Sequence, residues 1–250
     1  MSERDAEHAQ GESLISHLVE LRTRLLKATA AVMLAFLALV PFAKRLYSGL
    51  ARPLLVHLPE GSTMVAIDVA TPFLVPIKLA FFTALVVMMP VVLYQIWAFV
   101  APGLYRNEQR LARPLLVSAT LLFYLGCAFA YFLVLPAVFT FLIAVAPEGV
   151  AIATDLSHYL DFVLALFLAF GLCFEIPVAI VILVALGVVT PDALVKNRRY
   201  VIVGAFVVAA VLTPPDVASQ LMLAIPMCGL YEIGVLVARA LARRQIAPQT

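Results

Sequence analysis

Polar positions thin out after Lys27, and from there the chain is a succession of long apolar runs parted by short polar connections. Six runs each lie near the ~20 residues that a tilted helix needs to cross ~30 Å of hydrocarbon. They cover residues 24–43, 72–94, 113–136, 158–188, 199–212 and 217–237. The fifth is short, and only Thr213, Pro214, Pro215 and Asp216 part it from the sixth, which forces the last two helices into an antiparallel hairpin. Runs this short imply a local mismatch with the bilayer, met by thinning it or by snorkelling flanks. The runs are continuously apolar, whereas a β-barrel needs alternation in segments of about ten residues. The pattern predicts an all-α, polytopic membrane helix bundle with six transmembrane helices. It forms a single integral domain over 1–250, with 1–12 and 240–250 as flexible tails.

Composition closes off the soluble alternative. The chain is 64% hydrophobic and 13% charged, against about 45–50% apolar and about 25% charged in soluble domains. That leaves too few charges for a polar skin. The net charge of +2 says little as a sum, but its distribution orients the bundle. The N-terminal segment carries Arg4, Arg22, Arg24 and Lys27. Arg106, Arg110 and Arg113 fall between the second and third, Lys196, Arg198 and Arg199 between the fourth and fifth, and Arg239, Arg243 and Arg244 in the tail. The connections near Glu148 and at Thr213–Asp216 carry no basic residue. By the positive-inside rule both termini are cytoplasmic, although Lys44, Arg45 and Arg52 lie on the opposite side.

Enzyme and metal signatures do not emerge. Cys127, Cys173 and Cys228 fall inside expected spans with no CxxC spacing, as small apolar side chains do. His8, His17, His57 and His158 share no metal-ligand spacing, and there is no nucleotide loop or GxSxG. No metal, cofactor or nucleic-acid partner is expected. The acidic start, with Glu3, Asp5, Glu7 and Glu12, does not fit a cleavable signal peptide. No internal repeat supports an inverted-repeat transporter.

Function must then reside in the residues that interrupt the apolar pattern or crowd its cytoplasmic edge. Residues 13–25 are amphipathic, with Leu14, Leu18, Leu21 and Leu25 at helical spacing and Glu20 and Arg24 on the polar side. Glu20 and Arg24 form an ordinary i,i+4 pair on one reading; on the other, Glu20 offers a carboxylate to a cationic ligand at the membrane surface. Residues 94–108 leave the second run dense in aromatics, including Tyr94, Trp97, Phe99 and Tyr105, with Glu108 as their only acid. This is either an interfacial aromatic belt or a shelf for a peptide with basic and apolar residues. Glu175 lies deep in the fourth run, where an ionisable group usually faces a cavity or a partner. Pro177 frees a carbonyl beside it. A proton relay and a protonated, hydrogen-bonded acid both fit. Lys78, nearer a helix end, can snorkel. Thr213, Asp216, Ser219 and Gln220 serve either as helix caps or as a polar docking edge.

These residues also form recognisable blocks. Ser16–Arg24, Gly61–Met64, Asp68–Phe73, Tyr94–Tyr105, Phe170–Gly171 with Phe174–Pro177, and Leu212–Asp216 together resemble the TatC family, from about Ser13 to Val237 in unbroken order. TatC proteins are the multispanning subunits of the twin-arginine protein translocase. The resemblance implies a glove-shaped bundle in the bacterial inner membrane that is not an enzyme. Such a protein binds twin-arginine signal peptides of folded precursors and nucleates a protonmotive-force-driven translocon. Its implied partners are the single-span subunits TatA and TatB, further copies of TatC and the membrane lipids. Carried over by position, Glu20 and Glu108 meet the two arginines, with Leu21, Arg22 and Phe99 beside them. Glu175 matches the intramembrane acid on the concave side. Thr213 and Gln220 match the partner-docking region, and Pro53, Phe73 and Asp216 match functional outer-side positions. Asn107 departs from the family pattern. A secondary transporter or proton-coupled channel using Glu175 is the competing class.

Overall fold

A computed structural model describes residues 3–57, 64–100, 112–145, 154–212 and 217–246. Helix α1 (Glu3–Leu39) passes through a 3-10 turn at Val40–Phe42, carrying Pro41, into α2 (Ala43–His57). The apolar part of this run, His17–Leu50, is long enough to cross a membrane.

The second run is broken. Helices α3 (Thr71–Val87) and α4 (Met89–Val100) meet at a 51° bend where a single span over 72–94 was expected. Pro90 has no N–H to give to the Val86 carbonyl one turn back, which is how proline opens a helix. Tyr124, on α5 (Ala112–Phe129), donates its hydroxyl to that carbonyl at 3.1 Å. A carbonyl left without a donor away from water is costly, so this bond stabilises the bend.

Proline has a milder effect in the third run. α5 continues through a π turn (Ala130–Val134) into α6 (Leu135–Val145), so the helix runs past the expected end at 136. The π turn lies directly before Pro136, where a widened turn absorbs the lost hydrogen bond. The fourth run divides at Glu175 into α7 (Leu156–Phe174) and α8 (Ile176–Ala185), with Pro177 in the first turn of α8. Gly187, at φ +69°, ends α8 in the left-handed conformation that favours glycine. Thr190 then caps the short α9 (Pro191–Lys196) by accepting from the Ala193 N–H at 3.3 Å.

Helix α10 (Arg198–Leu212) has 15 residues, about 22 Å at ~1.5 Å per residue, and is shorter than a straight span. Its partner α11 (Val217–Ile246) extends well past residue 237. Most of both expected tails is therefore helical, since α1 begins at Glu3 and α11 reaches Ile246. Among the described residues four helical runs can cross a membrane, or five with the bent α3–α4 pair, and α10 falls below the necessary length. A two-residue parallel pairing, Met64–Val65 with Thr154–Asp155, joins the segments before α3 and α7. It does not alter the all-α, multispanning class.

The core lies where α5–α6, α7, α10 and α11 meet, around Phe170, Leu135, Leu166, Val138 and Leu223. Side chains such as Leu34, Phe132, Val211 and Ile225 point outward instead, as lipid-facing residues do. Small residues bring the helices close. A Cβ on Gly126 would stand 2.5 Å from the Phe170 carbonyl oxygen, and one on Gly234 would stand 2.9 Å from Pro177 Cα. With no hydrophobic force between helices in lipid, such approaches supply the packing that holds them together.

Candidate functional site

Residues 17–28 of α1 lie against the last turns of α4, and between them an apolar groove of about 230 Å³ opens. Leu21, Leu25 and Ala28 form one wall, Val92, Ile96 and Phe99 the other, with Arg24 and Gln95 as the polar members. The amphipathic spacing of α1 puts Leu21, Leu25 and Ala28 on one stripe. The bend at Met88 turns α4 to meet that stripe. At its mouth the His17 ring stacks on Phe99, with centroids 4.2 Å apart.

Glu20 borders this groove in a half-buried ion pair. Arg24 donates to Glu20 Oε1 from Nε at 3.0 Å and from Nη2 at 2.5 Å. Both bonds fall on one carboxylate oxygen, and among the described residues no hydrogen bond reaches Oε2. Arg22 is exposed and outside the groove lining. Glu108 lies outside the described residues. The structure thus brings Glu20, Leu21 and Phe99 to one rim. Trp97 takes a different place from the aromatic shelf expected at 94–108. It is buried against Ala119 and Val178, because two positions from Gln95 and Phe99 it falls on the face of α4 opposite the groove and points into the bundle.

A second polar position lies at the break between α7 and α8. Glu175 is half-buried, and its Oε1 is buried with no hydrogen-bond partner among the described residues. Its backbone carbonyl accepts from the Ala179 N–H at 2.9 Å, restarting the helix after the break. In the hairpin, Gln220 Nε2 donates to the Phe206 carbonyl at 3.1 Å, so this amide ties α11 to α10. Thr213 and Asp216 fall outside the described residues. Pro53 lies on α2, and Phe73 is exposed in the first turn of α3.

Several polar contacts had no local signal in the sequence. Lys78, expected to snorkel, donates to Asp161 of α7 at 2.6 Å. The two are 83 positions apart, and no periodicity joins them. Arg198 pairs with Glu232 at 2.6 Å, and Tyr231 donates to the Leu194 carbonyl at 2.8 Å, fastening α9 and α10 to α11. Asp155 caps α7 by accepting from the His158 N–H at 3.2 Å and meets the His158 ring at 2.5 Å. Burial pushes the Asp155 carboxyl up, but the hydrogen bonds it accepts outweigh this and hold it below the ordinary carboxylate range.

Comparison with known proteins agrees with this architecture. Residues 16–226 match the family model "Sec-independent protein translocase protein (TatC)". The Sec-independent protein translocase protein TatC of Escherichia coli (strain K12) is 58% identical over 228 residues, covering 91% of this chain and 88% of the relative. That of Haemophilus influenzae is 55% identical, covering 92% and 90%. A crystal structure of the twin-arginine translocase receptor TatC superposes with a TM-score of 0.81 at 38% identity, over 90% of this chain and 98% of that one. These relatives bear the name of a transport component rather than an enzyme. Matched along most of its length in sequence and in fold, the chain belongs to the TatC family of Sec-independent protein translocase proteins.

Proposed function

We propose that this protein is the signal-peptide receptor of a twin-arginine translocase, spanning a bacterial inner membrane six times with both termini in the cytoplasm. The short α10 is one of these spans, and the mouth of the α1–α4 groove opens on the cytoplasmic side. Glu20 and Glu108 bind the two arginines of the signal peptide, with Leu21, Arg22 and Phe99 completing the surface. A carboxylate suits this task because guanidinium forms two-pronged, charge-assisted hydrogen bonds that an ammonium cannot copy. The observation carrying the reading is the groove itself. Through the lining residue Arg24 it sets the Glu20 carboxylate beside an apolar channel, which is what a segment with arginines followed by apolar residues needs.

Other positions take supporting roles in this reading. The α10–α11 hairpin, with Thr213 and Gln220, docks the single-span subunits TatA and TatB, and assembly brings several copies of the chain together. Pro53, Phe73 and Asp216 act on the outer side. Glu175 is the intramembrane acid linked to partner contact or to the protonmotive force, and its buried oxygen, without a hydrogen-bond partner among the described residues, supports that role. Site-specific photocrosslinking tests the assignment. Probes replacing Leu21 or Phe99 are expected to capture a twin-arginine precursor, while a probe at lipid-facing Ile225 is not. Equal capture from all three positions contradicts the groove as the binding site.

A further inference from the structure

Resting on the reading of Glu20 as an arginine-binding carboxylate, we propose that Arg24 is an internal competitor for that carboxylate and so sets how tightly a cationic segment is held. Arg24 already engages Glu20 in the manner a ligand arginine would use, with two guanidinium N–H donors on one oxygen at 3.0 and 2.5 Å. The pair is partly withdrawn from water, with side-chain exposures of 25% and 36%. Arg24 also lines the groove beside Leu21, Leu25 and Phe99, so it occupies the approach as well as the charge. Before the ligand arrives, the pair carries no net charge. An incoming guanidinium either displaces Arg24 bond for bond or settles for Oε2 beside a like charge.

Competition of this kind has a definite signature. It divides the affinity of every cationic ligand by the same factor, whether the ligand presents arginine or lysine. Discrimination between them stays with the geometry of the carboxylate. A half-exposed pair of this class changes affinity by about two- to fivefold.

The test uses the full-length protein in lipid nanodiscs, titrated in ~0.15 M salt with a fluorescent twin-arginine peptide and its twin-lysine counterpart. Arg24→Met keeps an apolar stem and Arg24→Gln a polar one, and both remove the guanidinium. Each is expected to tighten both peptides by about two- to fivefold and to leave their ratio unchanged. Lys27→Gln removes an equal charge from an exposed position one turn away. It measures the long-range repulsion that remains at this ionic strength. In a Glu20→Gln background, Arg24→Met is expected to do no more than Lys27→Gln does. Weaker binding in both Arg24 variants makes Arg24 a support for Glu20 and overturns the inference while leaving the arginine site intact. Arg24 variants indistinguishable from Lys27→Gln overturn it as well. A Glu20→Gln protein that binds like wild type removes the site itself.

Discussion

Helix α1 and the broken helix α7–α8 are both long and apolar enough to cross a bilayer, yet the protein uses them in opposite ways. In the run containing α1, 11% of the most apolar window is buried inside the protein, whereas in α7–α8 the share is 39%. α7–α8 is the axis on which α5, α8's partner α11 and the core aromatics close. α1 is a peripheral wall, touching α3 and α4 along one stripe and leaving a groove open beside Leu21, Leu25 and Ala28. A ligand can therefore enter beside α1 without disturbing the packing of the bundle. Glu20 on α1 and Glu175 at the α7–α8 break also have surroundings that differ in kind. Glu20 is paired and partly wet, while Glu175 has a buried oxygen without a hydrogen-bond partner among the described residues.

Breaking the axis is expected to have the largest effect. Gly126→Val puts a branched side chain where even a Cβ would overlap the Phe170 carbonyl. It is expected to cost ~3 kcal/mol or more, read as loss of the folded, detergent-extractable protein. Phe99→Ala acts on the wall instead. It removes the ring that stacks on His17 and lines the groove, and is expected to weaken peptide binding by about two- to tenfold while thermal unfolding stays unchanged. Loss of folding in that variant would mean that the rim and the axis are not separable. Tyr124→Phe leaves the Val86 carbonyl at the bend without its donor and is expected to cost ~1 kcal/mol in thermal stability, with a loss of binding as α4 shifts.

The smallest effect is expected at the opposite end, from Asp155→Asn. The folded-state pKa of Asp155 lies below its unfolded value. Its contribution is therefore fully present above the ordinary carboxylate range and is lost as the pH falls through the folded value. The wild type should lose thermal stability on acidification more steeply than the Asn variant. Parallel pH profiles would show that the cap at α7 is unimportant.

The all-α, multispanning class was legible because bilayer thickness imposes one simple rule, and a continuous apolar run has few other solutions. Pro177 likewise marked the break beside Glu175. Pro90 was equally visible, yet the bend at Met88 depends on a hydroxyl from Tyr124 38 positions away, which no local pattern discloses. The pairing of Glu20 with Arg24 could be read from i,i+4 spacing alone. The groove could not, since its second wall comes from α4. Trp97 shows the limit from the other side. Its amphipathic ring suited the membrane interface, but the turn of α4 directs it to Ala119 and Val178. The ion pair of Lys78 with Asp161 joins two spans through tertiary contact only.

The most direct measurement is the affinity of a twin-arginine signal peptide for the nanodisc-embedded protein, compared among wild type, Glu20→Lys and Glu175→Gln. Recognition at the rim requires Glu20→Lys to weaken binding by at least about tenfold, the cost of placing like charges together at a hydrogen-bonded site. It also requires Glu175→Gln to bind as wild type does, since that acid lies in the bundle away from the groove. Wild-type affinity in Glu20→Lys, with binding lost in Glu175→Gln, would place recognition at the axis and contradict the division of labour between the two helices.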